Sequence, residues 1–178
     1  YHNVLKLDQF IVPLGLSFYI FQFISFQEDL SRSRFPNLSL VDFSVATSFF
    51  PHLINGPIVR IRRMYGQLQK SKIGTRSIYI GCAFIVIGMA KKILIADSLN
   101  EVYGPYLDFF QKEVLLPWDL AISMLFGITA QIYFDFSGYS DIAVGIGYLF
   151  GLSLPFNFRS PYRRASLIEA WRGWNITL

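Results

Sequence analysis

The spacing of charged residues along the chain constrains its fold more strongly than any other feature. Most charges lie between five apolar segments of the 178-residue chain, which comprise residues 10–26, 43–59, 78–96, 120–134 and 142–158. These lengths approach the roughly 20 residues that a transmembrane helix requires. The pattern predicts an all-α, polytopic transmembrane protein.

The composition agrees with a membrane protein and excludes several other classes. Charged residues make up 16% of the chain, against roughly 25% in soluble domains, and aromatic residues make up 17%. Such apolar and aromatic content excludes a disordered chain, and the single cysteine, Cys82, excludes a disulfide scaffold. The net charge of +4 does not indicate a nucleic-acid partner, because short cytoplasmic loops of membrane proteins carry the same basic excess.

Two of the apolar segments contain residues that disfavour a simple straight span. Residues 43–59 include two prolines and the pair Asn55–Gly56, so this segment is expected to be a broken or re-entrant helix. In the fifth segment, Ala143, Gly147 and Gly151 are spaced four residues apart, which places small side chains in one stripe and favours close helix packing.

Charge in the connections predicts the orientation of the chain. Residues 60–76 contain six basic and no acidic residues, which places them on the cytoplasmic side, whereas the mainly acidic residues 97–113 are expected on the outer side. Residues 159–178 are basic and aromatic and predict an amphipathic interfacial helix beginning near Ser166. If residues 142–158 crossed the membrane fully, this basic end would lie outside; a re-entrant or shallow segment there would remove the conflict.

No linker divides the chain. We therefore expect residues 1–178 to form one membrane-embedded domain. The first nine residues lack the basic start of a signal peptide, and the last five stop without a polar tail. From these features we expect a domain that is incomplete at both ends, within a longer protein.

Asp135 and Asp141 bracket a polar stretch beside an apolar segment, and ionisable groups at such depth are functional or paired. They are expected to pair with arginines, to cap a helix or to bind a cation, with capping or pairing favoured. A metal site is not expected, because the only histidines are His2 and His52 and no Cys/His cluster accompanies them.

Six motifs take the interpretation further. In chain order they are residues 13–22 (PLGLSFYIFQ), 49–60 (FFPHLINGPIVR), 88–97 (GMAKKILIAD), 133–141 (YFDFSGYSD), 154–162 (LPFNFRSPY) and 169–175 (EAWRGWN). Together they resemble successive motifs of the membrane-bound O-acyltransferase (MBOAT) family. The resemblance covers nearly the whole chain and is greatest to the branch that contains the alginate O-acetyltransferase membrane subunit and the teichoic-acid D-alanylation protein.

The resemblance implies a ring of helices around a funnel, where a cytoplasmic acyl donor meets a hydroxyl acceptor from the other side. It implies a multi-pass protein of the bacterial cytoplasmic (inner) membrane that acetylates an extracytoplasmic polysaccharide, with periplasmic partner proteins as a further expectation. The donor would be acetyl-CoA or another acyl thioester, and no tightly bound cofactor is expected. D-alanyl transfer to teichoic acid, a non-catalytic scaffold and a transporter component remain alternatives.

The chain departs from the family pattern at two positions of its last motif. The family motif is Trp-Arg-Arg-Trp-His. This chain has Gly173 at the position of the second arginine and Asn175 at the position of the histidine. An amide can orient a group by hydrogen bonding but cannot accept the proton that a histidine base takes. The second family histidine, usually taken as catalytic, is expected beyond Leu178, so the 178-residue fragment is expected to be inactive alone.

The remaining site residues are carried over by motif position. The substrate-channel candidates form the funnel wall and the entrance near the site: Asp135, Ser137, Tyr139, Asp141, Trp171, Arg172 and Trp174. Lys91 and Lys92 are candidates for contacts with phosphates of the donor. An alternative for these lysines is a position at a helix end, from which their ammonium groups extend toward the membrane interface.

Overall fold

A computed structural model describes residues 16–32, 39–52, 56–111 and 116–177. These residues form helices and connecting segments without a strand, which confirms the predicted all-α class. The helices are α1 (Leu16–Ser31), α2 (Leu40–Ser48), α3 (Ile61–Leu68), α4 (Thr75–Met89), α5 (Ser98–Gln111), α6 (Trp118–Leu149) and α7 (Leu167–Arg172). A π-helix, Ala90–Asp97, joins α4 to α5, and 3₁₀ turns cover Phe50–His52 and Pro161–Arg163.

Two long helical stretches dominate the fold. α4, the π-helix and α5 run on from one another, and within this stretch Thr75–Leu107 is long and apolar enough to cross a membrane. Trp118–Leu149, which is α6, meets the same criteria, and these are the two such helices among the described residues. At 1.5 Å per residue each extends about 50 Å, which exceeds the roughly 30 Å of a hydrocarbon core.

Glycines allow these two helices to pack backbone against backbone. A Cβ atom built on Gly138 would lie 2.8 Å from the carbonyl oxygen of Gly88, and one built on Gly81 would lie 2.8 Å from that of Gly145. The predicted stripe of Ala143, Gly147 and Gly151 is therefore wrong as the helix-packing face. Gly147 instead faces Leu152 and Leu154, and Gly151 follows the helix with a φ of +72°.

The predicted boundaries of the last two apolar segments are also wrong. Residues 120–134 and the first part of 142–158 belong to the single helix α6, and the polar residues 135–141 continue it instead of forming a connection. The polar residues from 97 onward likewise continue a helix as far as Gln111, and so do not form an outer loop over that range. Within the polar part of α6, the carboxylates of Asp135 and Asp141 pair with lysines of the neighbouring π-helix.

These corrections remove the conflict over topology. The helices α4 and α6 are antiparallel, so residues 60–76 and the C-terminal segment, residues 150–177, lie at the same end of the pair. Ser71 Oγ donates a hydrogen bond to the carbonyl oxygen of Phe150, at 3.0 Å. The Gln67 side chain brackets Ser153, accepting from its N–H at 2.6 Å and donating to its carbonyl at 3.1 Å.

The second apolar segment is broken, as predicted. α2 ends at Ser48, the 3₁₀ turn containing Pro51 follows, and α3 begins only at Ile61. Buried side chains from α2, the segment just before α3, α3 itself, α6 and the C-terminal segment form a common core. Its members are Ala46, Val59, Ile61, Met64, Val144, Leu152 and Leu154.

The predicted helix start near Ser166 is confirmed. Ser166 Oγ accepts from the Glu169 N–H at 3.2 Å, so the serine caps α7, whose side chains Leu167, Ile168 and Trp171 are exposed. Part of the first predicted segment, residues 10–15, lies outside the described residues, as does His2. The side chain of His52 is likewise outside them.

Candidate functional site

Lys91 and Lys92 lie within the π-helix, on the side that faces α6. Lys91 Nζ donates to Asp141 Oδ2 at 2.5 Å. Lys92 Nζ lies 2.7 Å from Asp97 Oδ1 and 2.8 Å from Asp135 Oδ1, and so bridges two carboxylates. A π-helix winds more slowly per residue than an α-helix, which brings consecutive side chains closer to one direction. The lysines are therefore mid-helix and ion-paired, and their predicted position at a helix end is wrong.

The same contacts decide between the alternatives for the two aspartates. Asp135 and Asp141 lie inside α6, so neither caps a helix, and both pair with lysines instead of arginines. Capping or pairing was favoured jointly, and the pairing is confirmed, whereas the predicted arginine partners are wrong. Among the residues that the structure describes, no group of three or more histidine, cysteine or carboxylate side chains is arranged to hold a metal ion.

The other two residues of this motif differ in environment. Ser137 is 1% exposed, and its Oγ has no hydrogen-bond partner among the described residues. Tyr139 is half-buried. Asp135, Ser137, Tyr139 and Asp141 lie on α6, and their assignment to a funnel wall stays a prediction.

An aromatic cluster packs the C-terminal segment against α6. The ring of Tyr133 lies 5.5 Å from Phe158, 5.2 Å from Tyr162 and 5.9 Å from Trp174, between centroids. Phe158 and Trp174 meet edge to face at 5.1 Å. Such contacts stabilise aromatic pairs beyond the burial of their area, so this cluster fixes the position of the residue that follows Trp174.

That residue, Asn175, has a φ of +43°, a left-handed conformation that asparagine tolerates better than most residues. Its Oδ1 atom is buried and has no hydrogen-bond partner among the described residues. An amide oxygen held in this way is an acceptor available to a donor N–H or hydroxyl. Asn175 therefore offers one fixed hydrogen-bond acceptor at the family motif position.

A buried polar network holds the turn that carries Asn175. Asn157, 1% exposed, accepts a hydrogen bond from the Ile176 N–H at 2.8 Å through its backbone oxygen. Its Oδ1 accepts from the Thr177 hydroxyl, and that hydroxyl accepts from the Ile58 N–H at 2.9 Å. Asn157 and Thr177 were not predicted as site residues; the one signal was an asparagine inside the apolar run 154–158.

Three pockets surround this region. The first, of about 360 Å³, is lined by Trp171, Arg172, Trp174, Asn175 and Ile176. The second, of about 390 Å³, lies between α6 and residues 160–163 and is almost entirely apolar. The third, of about 620 Å³, lies between α1, α3 and the C-terminal segment and shares Ile176 with the first.

The first pocket contains four of the residues that the last motif predicted, namely Trp171, Arg172, Trp174 and Asn175. The structure thus places these four predicted residues around one pocket. At the second pocket, partial burial raises the pKa of the Tyr162 hydroxyl above its ordinary value, and the neighbouring Tyr133 adds to the effect. Tyr162 therefore stays protonated and uncharged at neutral pH.

The membrane-bound O-acyltransferase family model, MBOAT, matches residues 31–178. The chain belongs to this family. The match includes the helix pair and the turn at Asn175, so the resemblance inferred from the six motifs is confirmed. Since the family is membrane-bound, the chain is part of a membrane protein.

The sequence identity differs among individual MBOAT proteins. The chain is 38% identical to a probable alginate O-acetylase of Azotobacter vinelandii over 94% of its length, and 34% identical to a peptidoglycan O-acetyltransferase of Helicobacter pylori over 94%. It is 27% identical to a teichoic acid D-alanyltransferase of Bacillus subtilis over 93%. The chain spans 33%, 37% and 42% of these relatives, respectively.

Proposed function

We propose that the full-length protein containing this chain transfers acetyl groups from an acyl thioester, such as acetyl-CoA, to hydroxyls of an extracytoplasmic polysaccharide. The observation that carries this proposal is the gradation of identities, from 38% and 34% for the two O-acetylating relatives to 27% for the D-alanyltransferase. D-alanyl transfer to teichoic acid is therefore the less favoured chemistry. No tightly bound cofactor takes part.

The reaction requires a base. The acceptor oxygen attacks the thioester carbonyl carbon, a C–O bond forms, the C–S bond breaks, and the hydroxyl proton passes through the base to the leaving thiolate. Asn175 cannot take up that proton, but its unpaired Oδ1 can accept a hydrogen bond and orient a reactant. We assign the base to a histidine outside residues 1–178, so the fragment alone is inactive.

The proposal includes an orientation in the membrane. The protein is multi-pass in the bacterial cytoplasmic membrane, with residues 60–76 and the C-terminal segment on the cytoplasmic side. Both stretches are rich in basic residues and lie at one end of the helix pair, which supports this orientation. The polysaccharide acceptor, presented by periplasmic partner proteins, approaches from the opposite side.

Expression of the full-length protein in a host that does not acetylate its own exopolysaccharide tests the activity. The polymer is analysed for ester-linked acetate and for ester-linked D-alanine by mass spectrometry after mild alkaline release. Acetate esters that depend on the protein support the proposal. D-alanine esters alone would show that the rival chemistry is the correct one.

The presence of Asn175 favours a second candidate, a membrane scaffold without catalytic activity. The Asn175→His variant of the full-length protein separates the two. If the protein is a scaffold, neither the unmodified protein nor the Asn175→His variant transfers acetate. Acetate transfer by the unmodified protein contradicts the scaffold, whatever the variant does.

A further inference from the structure

The third pocket has the size and the lining of a small-molecule binding site. Its volume of about 620 Å³ lies within the range of about 300–1,000 Å³ typical of ligand pockets. Phe21 and Ile24 of α1 contribute apolar wall, and Arg60 and Arg63 contribute charge at the start of α3. The pocket therefore combines apolar surface with two cationic groups.

Arg60 and Arg63 are placed to act together. They are three residues apart at the N-terminal turn of α3, where side chains share a helix face. Neither guanidinium forms an ion pair with any residue that the structure describes, and both side chains are exposed. Glu28 also lines the pocket, but its carboxylate is occupied by Arg32 at 2.7 Å.

We propose that this pocket binds a phosphate group of the acyl donor, with Arg60 and Arg63 as its ligands. The inference rests on the proposed function, since it assigns a subsite for that reaction. Guanidinium groups bind phosphate through paired, charge-assisted hydrogen bonds, and the positive end of a helix dipole favours the same anion. The apolar wall contacts the uncharged part of the donor.

Lys91 and Lys92 are poorly suited to the same task. Their ammonium groups are engaged by the carboxylates of Asp97, Asp135 and Asp141. Three negative charges against two positive charges give this cluster a net repulsion for a phosphate. The arginines replace the lysines as the donor's phosphate ligands.

The position of the pocket connects it to the motif residue Asn175. Ile176 lines both the third pocket and the pocket that contains Asn175, so the two pockets adjoin at this residue. A donor held by its phosphate in the third pocket then extends its acyl end past Ile176. The geometry assigns phosphate recognition and acyl placement to adjoining sites.

Binding of coenzyme A to the full-length protein in neutral-lipid nanodiscs tests the proposal. We expect Arg60→Gln and Arg63→Gln each to weaken binding about tenfold or more. Arg62→Gln is the matched control, because Arg62 is exposed on the same helix turn but does not line the pocket. It should change the affinity less than twofold. Arg60→Lys and Arg63→Lys, which keep the charge, should give intermediate losses and show that the loss does not arise from misfolding.

Unchanged affinity in both glutamine variants, or an equal loss in Arg62→Gln, would overturn the assignment. A second arm adds phosphatidylglycerol to the nanodiscs. If the two arginines govern binding of this lipid and not of coenzyme A, the pocket recognises a lipid phosphate and the donor assignment is wrong. Arginine-dependent coenzyme A binding without any acetyl transfer would retain the site and refute the proposed function instead.

Discussion

The ammonium group of Lys91 lies 2.5 Å from the carboxylate of Asp141, a residue 50 positions further along the chain. The pair joins the π-helix, in the middle of one long helical stretch, to the second half of α6, and the side chains are 27% and 17% exposed. Gly88 and Gly138 allow the backbones to approach closely beside it. A charged contact at this depth fixes the register of one helix against the other.

Removing one member of the pair should destabilise the protein more than removing both. Lys91→Met leaves the Asp141 carboxylate without its partner and should lower the free energy of unfolding by about 3 kcal/mol. The double variant Lys91→Met/Asp141→Leu should recover most of this loss, because no unpaired charge remains. Thermal unfolding of the full-length protein in detergent, with exposed Lys70→Met as the control, measures the difference. Equal losses in the single and double variants would contradict the pairing.

The glycine contacts predict a steep dependence on side-chain size. Gly88→Ala and Gly138→Ala each insert a methyl group against a backbone oxygen of the facing helix and should cost about 1–3 kcal/mol of unfolding free energy. Gly66→Ala is the control, since a Cβ there meets nothing within 4 Å. It should be neutral or stabilising by up to about 1 kcal/mol. A Gly66→Ala loss as large as the other two would show that the helix contact is not the cause.

The sequence predicted the features that depend on residues close to one another in the chain. The break at Pro51 and the helix start at Ser166 follow from local backbone chemistry, and both are confirmed. The continuous helix α6 was not predicted, because residues 135–141 are polar and indicate a connection when considered alone. Asp135 and Asp141 pair with lysines of another helix, and a partner that is distant in the chain leaves no signal in the local pattern.

In the candidate site, too, the sequence predicted local groupings of residues but not the contacts between distant parts of the chain. Trp171, Arg172, Trp174 and Asn175 line one pocket because they are close in the chain, and their role at a funnel entrance stays a prediction. Asn157 was missed, since its contact with Thr177 forms only when the C-terminal segment turns back on itself. Family resemblance supplied the positions of the motifs, and it did not supply these supporting contacts.

Asn157 should determine how firmly the turn at Asn175 is held. Asn157→Ala removes the buried side-chain acceptor of the half-buried Thr177 hydroxyl and should lower the local opening free energy by about 1–3 kcal/mol. Hydrogen exchange at the Ile176 and Ile58 amides reports that opening. The exposed Asn100→Ala is the control and should leave both amides unchanged. Unaltered protection in Asn157→Ala would contradict the role of the network.

Asn175 should affect the rate through its amide and not through proton transfer. Asn175→Gly keeps the left-handed backbone but removes the amide, and should lower kcat on the order of tenfold or more. The shape of the pH–rate profile should stay the same, because the amide does not titrate. The measurement is kcat against pH for the two full-length proteins. A lost or displaced limb of the profile would show that Asn175 takes part in the proton transfer.

Acetyl transfer by the purified full-length protein tests the central claim most directly. The protein in nanodiscs receives acetyl-CoA labelled in the acetyl group together with a soluble polysaccharide, and both polymer-bound label and free coenzyme A thiol are followed in time. The proposed O-acetyltransferase predicts that one acetyl ester appears for each thiol released, and that both depend on the polysaccharide. Thiol release without labelled polymer, or no release at all, would contradict it.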